Sequence, residues 1–177
     1  MSDIEYFEPY LVPEGELHPA IIAERHMLQD EHKHLKENEV HIEYLFKTEV
    51  KLKGGKQILG MVHEPKVQGH LKDLFEMLLR SFFGAMPRFI ITLDHEFWKG
   101  ASEHEREALL WHELAHIKQE KDAYDAPKFD RDGLPVYGLV EHDVVAFVSE
   151  VERYGAWHGS LKQMVKAAND RPATENP

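Results

Sequence analysis

Cysteine is absent from the 177 residues. This excludes a disulfide framework, a thiolate-held zinc or iron–sulfur site, and a thiol nucleophile. Any metal must therefore be held by His, Asp or Glu. Long apolar runs are missing too. Nothing reaches the roughly 20 residues of a membrane span, and the opening MSDIEYFEPY lacks the basic and apolar regions of a signal peptide. The expected compartment is the cytoplasm of the cell that makes the chain, with no membrane partner. Positive charge is scarce: 21 Lys+Arg face 32 Asp+Glu, for a net charge of −11. That balance favours solubility and disfavours a broad phosphate-binding face, so no nucleic-acid partner is expected. Internal repeats, heptads and low-complexity tracts are also lacking. What is abundant is histidine, with 13 copies between His18 and His158. Most of them must be surface or packing residues, because neutral imidazole is tolerated in many environments.

The length suits one domain with short arms. Residues 1–40 read as an acidic, proline-bearing arm followed by a polar helix over about 20–39. The sequences HIEYLFKTEV and KQILGMVHE are β-branched and aromatic runs on either side of KLKGG, which predicts a hairpin turning at Gly54 and Gly55. Leu71, Leu74, Phe75, Leu78 and Leu79 recur at helical spacing over 68–83. RFIITL is a buried-type strand. Ser102 and Glu105 form a capping box that opens a helix running through EREALLWHELAHIKQE, and Pro127 forbids its continuation. LPVYGLV predicts a short strand, and Val144, Phe147, Val148 and Val151 predict an amphipathic helix over about 143–155. The main domain is placed at residues 41–160, with 161–177 as a helix end and flexible tail beginning near Asn169.

The chemistry is carried by His112-Glu113-Leu114-Ala115-His116, an H-E-x-x-H sequence. Helix positions i and i+4 lie one above the other, so both imidazoles can reach one ion about 2 Å from each nitrogen. Glu113 lies about 100° round the helix, able to reach a metal-bound water without being a ligand. That is the arrangement metal-assisted hydrolysis requires. A shuffled chain of this composition would contain the pattern about one time in nine, so context matters. The context is a capped helix with Leu109 and Leu114 available to pack, where two histidines need partners. A tetrahedral catalytic site needs a third ligand and one open position. Glu141, His142 and Asp143 compete for that role, and a helix beginning at Asp143 would leave His142 free to swing toward the motif.

The block IITLDHEFW, REALLWHELAHI, GLVEHDVVAF and RYGAW, with LFK and GGKQILGMV upstream, resembles the family of putative phage metallopeptidases over roughly residues 40–160. The resemblance implies an α+β zincin-like domain: a small sheet with a β-hairpin, a backing helix, and the motif helix beneath an edge strand. It further implies a hydrolase of phage or prophage origin, acting on protein or peptide with one Zn²⁺. His112 and His116 are then metal ligands and Glu113 is the catalytic base and acid. HDVVAF falls where a third ligand would come. The more distantly similar SprT-like zinc peptidases place a His after the motif helix, which favours His142. The long metzincin motif is not followed, since no further His or Gly stands at the expected spacing after His116.

Other residues weigh toward structure. Asp94-His95-Glu96 reads as a solvated turn, and His32 with His34 as a solvated helix face. RFIITL is either a peptide-docking edge or an ordinary core strand. Tyr137 and Tyr154 could donate to an oxyanion but suit aromatic packing better. Trp98, Trp111 and Trp157 read as core or rim residues. Two rivals to a zinc peptidase stand: a zinc-binding interaction or regulatory module without catalysis, and a metal-free, acidic, His-rich binding protein.

Overall fold

The computed structural model describes residues 9–27, 32–142, 148, 151, 154–156 and 159–170. It divides into two compact units, Met1–Val140 and Glu141–Pro177. The expected mixture of helices with a small sheet is what it contains.

The first unit is organised round one strand, β6 (Phe89–Asp94). Its alternate residues Phe89, Ile91 and Leu93 are completely buried, the period-2 pattern of a strand with one covered face. β6 pairs in parallel with β2 (Ile42–Lys47) and antiparallel with β5 (Gly60–His63). A two-residue strand, β1 (Tyr10–Leu11), adds antiparallel to β2, giving the order β1-β2-β6-β5. Two expectations are corrected here. The long runs on either side of KLKGG do not pair with each other, because β6 lies between them. The strand with three fully buried side chains takes the central place and gains a ladder on both edges. Gly54 and Gly55, at φ +58° and +77°, instead close a minimal hairpin of β3 (Leu52–Lys53) and β4 (Lys56–Gln57), the left-handed pair that a two-residue turn demands. RFIITL, paired on both edges, is a core strand and offers no docking edge. β5 is the sheet's terminal strand on that side.

Some helices of the first unit pack on the sheet. The expected polar helix over 20–39 is instead α1 (Pro19–Met27) and α2 (Lys33–Glu37), and it is less polar in effect than its sequence suggests. Ile22, Ala23 and Leu35 enter the core, and α1 packs on both the motif helix and β2. His32 is completely buried with its ring edge-on to Trp111, and the half-buried His34 stacks on Tyr137, so the pair is not the solvated face expected. α3 (Lys72–Phe83) forms where its spacing predicts but buries no residue. Leu71, Leu74, Met77, Leu78 and Phe82 all stay exposed. The short helix α4 (His95–Gly100) replaces the turn expected at Asp94-His95-Glu96. Asp94 is its N-cap, accepting from Phe97 N at 2.8 Å and from Gln57 Nε2 at 3.0 Å, which satisfies a buried carboxylate. Trp98 is buried beside it and donates to Leu17 O.

The motif helix, α5 (Glu103–Ala115), starts at the predicted capping box. Ser102 Oγ accepts from Glu105 N, and the Glu105 carboxylate accepts from Ser102 N at 2.8 Å. It ends earlier than expected. His116 is the C-cap, and the chain turns directly into β7 (Ile117–Gln119), paired antiparallel with β8 (Tyr137–Leu139). Ile117 is β-branched and fully buried, and the ladder with β8 outcompetes further helix. Between these strands the Asp122 and Asp130 side chains each accept two backbone N–H groups, forming the turns of an exposed ribbon.

In the second unit, α6 (Gly159–Asp170) buries Leu161 and runs one residue past Asn169, where a tail was expected to begin. The helix expected over 143–155, the candidate ligand Asp143 and Trp157 lie outside the described residues, or largely so. Among the described residues, no helix is long and apolar enough to cross a membrane.

Candidate metal centre

The last turn of α5 sets the site. Leu110 and Leu114, both fully buried, lock that turn onto the core. Each contributes roughly 1.5–3 kcal/mol of apolar burial. The opposite side of the turn carries His112, exposed, and His116, half-buried. Their rings stand edge-to-face at 83°, with Nε2 atoms 3.3 Å apart. Tetrahedral zinc with Zn–N bonds of about 2.05 Å requires an N···N separation of about 3.3 Å. Two imine lone pairs this close repel each other unless a proton or a cation lies between them. The donor set therefore fits a borderline-soft cation such as Zn²⁺.

His116 is held from behind. Its Nδ1 lies 2.7 Å from Val140 O, and Val140 N donates to His116 O at 2.8 Å. Nδ1–H donating to a carbonyl leaves the Nε2 lone pair facing the site, the usual orientation of a metal-binding histidine. This support depends on the helix ending at His116, because β7 then carries β8 and Val140 alongside. Val140 has no distinctive signal in the sequence, since it contributes only backbone.

Glu113 points the other way from solvent: it is 3% exposed and packs against Gly60 of β5. Burial pushes its carboxyl up to about 7, partly opposed by the nearby His116. Gly60 was not singled out by sequence reasoning. An isolated glycine inside the strand-like run ILGMVH is a signal of close backbone approach that could have found it.

The structure thus brings together His112, His116 and Glu113. His142 and Glu141 belong to the second unit and are exposed. Tyr137 is turned to another task. Its hydroxyl accepts from Asn38 Nδ2 and donates to His34 O, each at 2.9 Å, tying β8 to α2. This is the packing role expected of it. Tyr154 is exposed within the second unit.

The family model described as putative phage metallopeptidase matches residues 15–169. The chain belongs to that family. No curated protein and no solved structure matches it.

Proposed function

We propose that this member of the family is a zinc-dependent peptidase holding one Zn²⁺ through His112, His116 and His142, with Glu113 as general base and then general acid. The observation that carries the reading is the pair of Nε2 atoms 3.3 Å apart on a helix turn that also bears a buried carboxylate. His142 is preferred to Glu141 and Asp143 as a third nitrogen donor like His112 and His116, and chain reach admits it. It follows by two residues the Val140 backbone that is bonded to His116, a span of no more than about 7 Å. Three imidazoles would leave a fourth position open.

A bound zinc would polarise the scissile carbonyl and lower the pKa of water at the site. Glu113 takes a proton from the attacking water as its oxygen bonds to the carbonyl carbon. It then delivers that proton to the departing nitrogen, so peptide and water become carboxylic acid and amine. An extended substrate would lie along β5, whose outer edge no other strand covers among the described residues. Main-chain hydrogen bonds to that edge would bring successive peptide units past Glu113.

Zinc content per purified chain tests the site. About one zinc in the wild type, lost in His112→Ala, His116→Ala and His142→Ala, is the expected result. Metal retained only in His142→Ala would transfer the third position to Asp143 or Glu141. A wild-type chain that takes up no zinc would sink the enzyme reading. On the loaded protein, hydrolysis of a labelled denatured protein should stop in Glu113→Gln, which keeps its metal. Zinc bound by four protein ligands without hydrolysis would favour the non-catalytic module.

A further inference from the structure

Most glycines of this chain stand where the backbone turns. Gly54, Gly55, Gly69, Gly84 and Gly133 are among those that have positive φ and open space where a Cβ would stand. Gly60 is the reverse. Its φ lies outside the left-handed region, so its backbone admits any residue, yet a Cβ there would overlap Glu113 Oε1 and stand 2.7 Å from Cδ and 2.9 Å from Cγ. The place of the missing side chain is occupied by the carboxylate. Nothing about strand geometry asks for glycine at this position: in the interior of a strand it weakens the element.

From this geometry we infer that Gly60 is a positioning residue for Glu113. The gap in β5 is the slot in which the carboxylate lies against the edge strand, on the flank of the two imidazoles. An alanine there need not disrupt the sheet, because the atoms it meets are the far end of a rotatable side chain. What must move is the carboxylate, out of the slot and away from the place where proton transfer would occur. Gly60 sits 53 positions before Glu113 in the chain, and the register of β5 on β6, Gly60 opposite Leu93, delivers it there. The inference rests on the peptidase reading for its consequence in catalysis, but not for the contact itself.

The test is therefore a cycle in two readouts. The first is the thermal midpoint of four chains: wild type, Gly60→Ala, Glu113→Ala and the double variant. Without Glu113 the slot is empty, and Gly60→Ala should raise the midpoint by about 2 °C, the ordinary gain from removing a strand glycine. In the wild-type background the same change should bring no gain or a loss. Equal shifts in both backgrounds would overturn the inference. So would failure of both Gly60→Ala chains to fold, whereas rescue of folding by Glu113→Ala would support it. The second readout is kinetic, on zinc-loaded protein with a labelled denatured protein as substrate. Gly60→Ala should keep the wild-type zinc content, lose about 100-fold in kcat and change KM by less than about threefold. Full activity in Gly60→Ala beside a dead Glu113→Gln would also overturn it. A wild-type chain without hydrolytic activity would instead remove the peptidase reading and leave the thermal cycle to decide the contact.

Discussion

Two residues of the site, His116 and Glu113, are held by something other than their own helix, and the kind of support decides what a substitution there does. His116 is oriented by the Val140 carbonyl, Glu113 by the slot at Gly60. His63, on the same strand as Gly60, is bound through Nε2 to Thr92 Oγ1 at 2.9 Å. Burial, then the nearby Lys51 and Lys47, hold its imidazole below the usual range, although Glu49 and Asp94 line the same pocket. The unfolded chain therefore binds a proton to His63 at higher pH than the folded one does. Its contribution to stability is intact above the unfolded value near 6.5 and declines as pH falls through the folded value. His63→Gln should flatten the acid-side loss in urea-unfolding free energy between pH 7 and 5. An unchanged slope would show that other groups carry it. The residue scale is also where the sequence was most legible. His112, Glu113 and His116 stand together because helix geometry alone relates positions four apart. Gly60 and Val140 reach the site through sheet register and strand pairing, relations that no local spacing encodes.

At the scale of elements, pattern predicted existence better than environment. α3 and α5 both carry apolar residues at helical spacing, yet α5 is locked into the core and α3 buries nothing. Leu114→Ala should cost roughly 2–5 kcal/mol, the range for a fully buried leucine whose cavity cannot collapse. Leu78→Gln on α3, equal in helix propensity and exposed, should change stability by less than about 0.5 kcal/mol. Chemical denaturation of both variants checks the pair, and a large loss at Leu78 would mean that α3 is covered in solution. The end of α5 departs from its sequence pattern for a related reason. KQE continues a polar helical pattern well enough, and only the partner strand β8, some 20 residues on, makes β7 the better state for Ile117–Gln119. The long hairpin fails to form for the same reason: two β-rich runs beside a glycine turn satisfy the local rule, but the more apolar β6 arrives later in the chain and separates them.

For the molecule as a whole, the net charge of −11 acts on any substrate before contact. A negative field raises the local concentration of cationic chains and lowers that of anionic ones, and it acts on the encounter rather than on the chemical step. Potentials of this kind reach about 10 Å at 0.1 M salt and about 3 Å at 1 M. On the proposed peptidase reading, peptides of one core sequence flanked by Lys or by Glu should therefore differ in kcat/KM. A ratio of about tenfold in favour of the Lys-flanked peptide is expected at low salt. It should shrink toward unity as salt rises, with kcat nearly the same for both peptides. The salt series separates this effect from a charged subsite. A preference that persisted at 1 M salt would have to come from direct ion pairing within contact range. The cations Lys66, Lys72 and Arg88 and the acids Glu64 and Glu76, which line one groove in the first unit, would then be the groups to exchange.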